Sequence, residues 1–344
     1  MAINTESSSE FRYGIALQTA FGTEVADAGA FTELKCDPFT PQEGLNVDKD
    51  PMVAGVRHQI DDEIDVSVDY AMPTMQIKMK NCRDNIDLFL ALFFQMVTEG
   101  ATTPFYKEFT LPVLGETMQP DFSSDEGFFA TIVKRGPRAS TSWKVRDIIA
   151  QQIKLSCEPS GRISMQADLI GRGPIIYNAN PSGTWTRDTG PGWRYGMIAR
   201  RTVNFGSGAV SPIIKGGWEL TLTQRVDPMS PGDDGSGIGT FETFALLERA
   251  GTFLLRVNKD SVSEAGLTNL PIGTPVDVNL GWGNATPGTD NRDLDIAFHA
   301  KLIEPINMED EGVQAIEFKG ELSGLNTATT PITIGVANAV DRAW

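Results

Sequence analysis

Ile64-Asp65-Val66-Ser67-Val68-Asp69-Tyr70 and, shortly after it, Met75-Gln76-Ile77-Lys78-Met79-Lys80 alternate apolar and polar residues at every step. A period of two sends successive side chains to opposite faces of an extended chain, so both stretches predict strands with one face in a core. Working outward, alternation or a short β-branched run bounded by turn residues predicts strands at Ala130 to Lys134, Ile148 to Ser156, Arg162 to Leu169 and Trp218 to Gln224. Further ones follow at Phe253 to Val257, Val276 to Leu280, Asp295 to Leu302 and Val313 to Leu322. The 34 Gly and 20 Pro among 344 residues supply the turns this pattern needs.

Only two stretches predict helices. The first opens at Asn81, with Asp84 in the capping-box position, and runs through Ile86, Phe89, Leu90, Phe93 and Val97 to Gly100, a helix near 82–99. Leu88, Leu92, Phe94 and Met96 make it apolar nearly all round, which predicts burial on more than one side. The second opens at Thr240, sets Phe241, Phe244, Ala245 and Leu247 near one stripe and stops at Gly251, a helix near 240–250. The fold class is therefore mainly β with a few helices.

The two helical stretches resemble each other, Asp87-Leu88-Phe89-Leu90-Ala91-Leu92 matching Glu242-Thr243-Phe244-Ala245-Leu246-Leu247. Asp147-Ile148, Lys154-Leu155 and Leu169-Ile170-Gly171 recur in the same order as Asp295-Ile296, Lys301-Leu302 and Leu322-Ser323-Gly324. These matches, Phe89 with Phe244 among them, predict an internal duplication at a spacing of about 150 residues. The expected domains are 1–180 and 181–344, joined through the Gly-, Pro- and Trp-rich stretch from Gly171 to Gly196. Chance agreement between glycine-turned hairpins is the competing explanation.

With Lys+Arg 29 against Asp+Glu 45, the formal net charge is -16, and the average surface repels a phosphate backbone. Cys36, Cys82 and Cys157 are too few and too scattered for a disulfide framework. The opening residues lack the basic start and apolar stretch of a secretory signal, and the longest apolar run, Leu88 to Phe94, is far short of the roughly 18 residues of a membrane span. A soluble chain made in a reducing cytoplasm, with no membrane partner, is expected.

Catalytic patterns are missing. His58 and His299 have no second ligand nearby in sequence, and there is no H-E-x-x-H, G-x-S-x-G or Walker lysine. No enzyme, no cofactor and no metal site are expected. Gly235-Ser236-Gly237-Ile238-Gly239 precedes the second helical stretch, but Asp233 and Asp234 beside it disfavour phosphate, and a long loop over Asp227 to Gly239 is expected. Thr186-Arg187-Asp188-Thr189-Gly190-Pro191-Gly192-Trp193 is similar to the Asp-box turn of sialidases, and with Tyr177, Trp185 and Tyr195 it offers an aromatic sugar platform built on Asp188 and Trp193. Packing of these aromatics at a domain joint is the simpler expectation. The segment from Glu43 to Asp69 carries Asp48, Asp50, Asp61, Asp62, Glu63, Asp65 and Asp69, and reads as a long exposed acidic loop entering a strand.

Tyr13-Gly14-Ile15-Ala16-Leu17-Gln18-Thr19-Ala20-Phe21-Gly22-Thr23-Glu24-Val25 resembles the opening of the major tail tube proteins of long-tailed, siphophage-type bacteriophages, with Gln18 where Glu is common and Phe21 where Tyr is common. The acidic loop, the apolar helix and a strand pair closing on Asp168-Leu169-Ile170-Gly171 follow in the order of that family. The resemblance implies a β-sandwich or barrel flanked by a helix, whose inner sheets join edge to edge into rings that stack as a conduit for DNA ejection. It further implies a structural virion protein of the tail, assembled in the host cytoplasm, with tape-measure and tail terminator proteins as partners and DNA passing through without specific binding. On this reading Asp65, Asp69 and Glu219 are expected to line an acidic lumen, while Asp48, Asp50, Asp61, Asp62 and Glu63 are expected at inter-subunit or inter-ring contacts. A duplicated subunit needs trimeric rings with pseudo-sixfold symmetry, and an unduplicated one hexameric rings. Thr330 to Ile334 is expected to add a strand to a neighbour. The alternatives are a carbohydrate-binding or glycan-degrading phage adhesin and a capsid decoration protein.

Overall fold

The computed structural model describes residues 11–51, 64–82, 85–100, 105–111, 127–158, 161–187, 192–194, 198–204, 209–210, 214–233, 239–258, 272–283, 293–310, 313–322 and 331–338. In the first half β1 (Arg12–Leu17), β2 (Phe31–Leu34), β3 (Leu45–Pro51), β4 (Ile64–Ala71) and β5 (Thr74–Met79) precede α1 (Ile86–Phe94). After it come β6 (Thr98–Glu99), β7 (Phe105–Thr110), β8 (Ala130–Arg135), β9 (Trp143–Cys157) and β10 (Ile163–Tyr177). The second half holds β11 (Trp185–Arg187), β12 (Ile198–Asn204), β13 (Ala209–Val210), β14 (Ile214–Asp233) and β15 (Gly239–Asn258). It ends with β16 (Pro275–Trp282), β17 (Leu294–Asp310), β18 (Val313–Leu322) and β19 (Ile332–Asn338).

All strands except β3 and β4 belong to one mixed sheet. Its spine is the antiparallel run β5, β10, β9, β14, β15, β18, β17. β9 serves two neighbours along one edge, pairing with β8 up to Ile148 and with β14 from Gln152 to Cys157. β17 pairs with β16 over residues 294–301, then continues beyond it with β18 as its partner. The alternation read from the sequence is the alternation of burial: in β5, Met75, Ile77 and Met79 are buried while Gln76 and Lys78 are exposed. Apolar faces from both halves and all of α1 meet in one main core, which contains Ile77, Phe89, Leu155, Leu220, Leu255, Ile296 and Ile334.

α1 is shorter than the pattern predicted. It starts after Asn85 rather than Asn81, and it stops at Phe94 because Gln95 takes φ 59 and donates its backbone N–H to Ala91 O. The Gln95 side chain completes that stop, donating Nε2 to Leu92 O and Phe128 O, both at 2.8 Å, and accepting Phe128 N–H. All nine residues of α1 are buried, Asp87 included, and Lys107 on β7 sets Nζ 3.5 Å from Asp87 Oδ2 and 3.6 Å from Glu99 Oε1.

Residues 240–250 are not a helix. They are the start of β15, which pairs with β14 along its length, with Phe244 opposite Pro228 and Leu246 opposite Val226. Thr240, Phe241, Thr243 and Phe244 favour an extended chain, and β14 offers a partner edge that a helix would leave unpaired. Phe89 and Phe244 therefore occupy different kinds of element, and the stretch from Asp227 to Asp233 is strand rather than loop.

Three further expectations change. The acidic segment is not structureless at its ends, because β3 and β4 pair as a two-stranded ribbon through Val47 with Val68 and Lys49 with Val66. The stretch after Gly171 does not hang between domains: β10 runs on to Tyr177, β11 pairs in parallel with β2, and Ile163 N–H donates to Trp193 O. Nor is the C-terminal strand spare, since β19 lies between β17 and β7 of its own chain, with Ile334 opposite both Ile296 and Phe109.

Candidate assembly surfaces

The spine has one face on the core and one open face. The open face carries Gln76, Asp168, Gln166, Gln152, Lys154 and Glu219; Gln76 Nε2 donates to Asp168 Oδ1 at 2.8 Å, and Lys154 Nζ pairs with Glu219 Oε1 at 2.8 Å. Ser156 and Ser164 hydroxyls share a bond at 2.9 Å, and Glu317 holds Arg256 at 2.7 Å and Lys319 at 3.2 Å. Strand parity and register place Lys78, Lys154, Arg256, Lys301 and Lys319 on this side against Asp168, Glu219, Glu304, Glu317 and Glu321. Its charge is balanced, although the chain as a whole stands at -16.

Of the residues expected on an acidic wall, only Glu219 lies on this face. Asp65 and Asp69 lie on β4 in the separate ribbon, where Asp65 stands opposite Asp50 and Asp48 opposite Ser67. Asp61, Asp62 and Glu63 are outside the described residues. The sequence pattern located β4 as a strand, but β4 belongs to a ribbon outside the main sheet, which alternation alone does not reveal.

Each end of the spine presents an edge with no strand partner among the described residues. At one end, residues 37–42 run beside β5, with Asp37 N–H donating to Lys78 O and Gln42 paired with Thr74. At the other end lies β17 beyond Lys301, on the edge that β16 has left. Both ribbons, β3 with β4 and the distal parts of β14 with β15, leave the same end of the sheet. Their roots share a small second core of Phe129, Ile149, Ile170, Val226, Phe244 and Leu246, with Phe21, Tyr70 and Met72 against it.

The opening motif fixes this root. Gln18 Oε1 accepts Asp147 N–H while its Nε2 donates to Asp147 Oδ1, both at 2.8 Å, and Gly22 N–H donates to the same carboxylate oxygen at 2.8 Å. Gly22 has φ +81, where a side chain is strained, and Arg172 Nη1 lies 3.2 Å from the position a Cβ would take. Arg172 pairs with Asp147 at 3.3 Å and covers the Phe21 ring, which in turn packs edge-on against Phe129 and Phe244. Gln18, Phe21 and Gly22 thus tie the N-terminal turn to β9, β10 and the second ribbon. No protein-family model matches the chain, and no curated protein matches it in sequence.

Among the described residues the aromatics expected to form a platform do not gather on one surface. Trp193 is buried in the main core, and Trp185 packs on Phe31 under the Arg12 guanidinium. Tyr177 is exposed and donates to Glu43, while Asp188 and Tyr195 lie outside the described residues. His299 is buried beside Asp277, and His58 is outside the described residues. Among the described residues no group of three or more His, Cys, Asp or Glu side chains is arranged to hold a metal, and no helix is long and apolar enough to cross a membrane. The three thiols are free; burial pushes Cys36 up to about 12 and Cys157 up to about 11, so they stay protonated at neutral pH.

Three carboxylates in the framework couple stability to pH. Burial alone would raise the pKa of Glu33, but bonds from Arg187 at 3.0 Å and Arg12 at 2.8 Å outweigh it and hold the group below its ordinary range. Asp27 and Glu317 are lowered the same way, by Asn180 and Lys144 and by Arg256 and Lys319. A lowered folded pKa gives stability that is present above the unfolded value near about 4 and is lost as pH falls through the folded value. Thermal melting is therefore expected to be level from neutral pH down to about pH 5 and to fall below it. In Glu33→Gln that acid-dependent fall should be smaller.

Proposed function

We propose that the chain is a structural subunit that closes rings of three copies and stacks them into a tube, as the major tail tube protein of a long-tailed bacteriophage. The observation that carries this reading is the match between the joint inside the chain and the two open edges of its spine. β1 pairs with β2 and β8, β8 with β9, and β10 with β9 and β5. In the same order β12 pairs with β13 and β16, β16 with β17, and β18 with β17 and β15. On this reading the halves are repeats, and the pairing of β9 with β14 joins one repeat to the next. Repeating that joint brings β17 of one copy against residues 37–42 of another. Closed cyclic symmetry then consumes both edges, which otherwise invite uncontrolled pairing.

Three copies, each giving the seven spine strands and residues 37–42, make a barrel whose open faces look inward. That wall is balanced in charge, with Lys154 paired to Glu219 and both Arg256 and Lys319 paired to Glu317, instead of acid-lined. A wall of balanced charge offers a passing polyanion no net counter-charge, so DNA slides without specific binding. Tape-measure and terminator proteins are the partners such a tube requires. The location in a virion tail belongs to the same proposal.

The joint between copies is weaker than the internal one. Pro38 and Pro41 lie in the 37–42 edge and supply no N–H, whereas residues 218–223 of β14 contain no proline. Rings are therefore expected to fall apart at lower urea than the chain unfolds, read by sedimentation and by tryptophan fluorescence in parallel. Native mass spectrometry tests the ring directly: masses at three times 37.4 kDa are expected. A protein that stays monomeric under all conditions, or that binds glycan columns, would contradict it.

A further inference from the structure

The two ends of the sheet differ in where their charges sit. Both ribbons leave one end, and neither residues 226–233 nor residues 239–246 of the second ribbon contain a Lys or Arg, while Asp227, Asp233 and Glu242 fall within them. The first ribbon places Asp50 directly opposite Asp65, with Asp48 two residues along β3. At the other end of the sheet, Arg162 and Arg194 stand directly opposite each other in an isolated antiparallel bridge. Both are exposed, and neither has an ion-pair partner among the described residues; Glu158, at the start of the same turn, is exposed and pairs with neither. β5 pairs with β10 from Ile170 near the ribbon to Met165, so Arg162 lies about eight residues, or about 26 Å, along the strand from the ribbon root.

Like charges held opposite each other across a ladder are destabilising. Among the described residues Asp50 and Asp65 are the acidic pair of this kind; of the arginine pairs, Arg12 with Arg135 and Arg172 with Arg146 each include a member held by a carboxylate, Glu33 or Asp147, whereas Arg162 with Arg194 does not. Resting on the ring reading above, we propose that the β3–β4 ribbon of one copy seats on the Arg162–Arg194 bridge of a copy in the next ring. The partner is thus a second copy of this chain, stacked head to tail. The corresponding turn of the second half follows Glu309 and Asp310 at the end of β17, and repels the ribbon. Basic and acidic stations then alternate around a ring of three, and only rotations that put ribbons over arginines are favoured. The charge pattern fixes the rotation between rings.

The test is sedimentation velocity with negative-stain microscopy on wild type, on R162E/R194E, and on R162E/R194E combined with D48K/D50K. Wild type is expected to form tubes that shorten to rings in 1 M salt, where charges more than about 3 Å apart are screened. R162E/R194E should form rings normally but need at least tenfold more protein to stack, and the combined variant should recover stacking. Thermal melts check that the substitutions leave the subunit folded. Stacking of R162E/R194E at wild-type concentration, or failure of the combined variant to recover, overturns the ribbon-to-bridge contact and leaves the ring reading intact. Wild type that forms neither rings nor tubes overturns both.

Discussion

Ending the chain after Thr330 is expected to abolish cooperative folding. β19 fills the gap between β17 and β7, and Ile332, Ile334 and Val336 are fully buried there. Each such side chain contributes about 1.5–3 kcal/mol on burial, so the three together supply about 5–9 kcal/mol of the roughly 5–15 kcal/mol that stabilises a typical native protein. The deletion also opens two strand edges, one on each half of the molecule, and open edges aggregate. Soluble yield and a urea titration check this. A truncated chain that is soluble and unfolds at the wild-type midpoint would contradict the role assigned to β19.

The second large effect is expected at α1. Asp87→Ala removes a carboxylate that lies, fully buried, 3.5 Å from the equally buried Lys107 ammonium. Glu99 at 3.6 Å remains as a more exposed counter-charge, but the loss still strands most of a buried cation and should cost about 3–5 kcal/mol in chemical denaturation. Replacing both ends by apolar residues, Asp87→Leu with Lys107→Met, should cost much less, because no fully buried charge is then left and Glu99, the carboxylate that loses its cation, is partly exposed. Equal losses in the two variants would mean that packing, not charge, dominates at this site.

Alternation carried most of what the sequence revealed. β5, β9, β10, β14, β17 and β18 were legible because their core faces recur at every second residue, and α1 because no polar face interrupts it. The second helix failed for an identifiable reason: Phe241, Phe244 and Ala245 satisfy a helical stripe by spacing, yet the neighbouring β14 makes a strand of them. β2, β7, β12 and β19 are short or flanked by Gly and Pro, and their strand character comes from the partner edges they meet. The charge balance of the open face was not legible, because the sum over the chain hides where each carboxylate goes. Asp65 and Glu219 both sit in alternating strands, but one strand leaves the sheet as a ribbon and the other forms its spine. The opening motif was visible as a motif, while its partner Asp147 lies 125 residues beyond Gly22 and only the fold brings them together.

In the proposed ring the two open spine edges pair between copies. A cryo-electron microscopy map of the assembled protein tests it most directly. Three copies per ring are expected, with β17 of each lying against residues 37–42 of the next and with Lys154 and Glu219 facing the channel. Rings of six identical subunits, or rings in which those two edges stay apart, would contradict it.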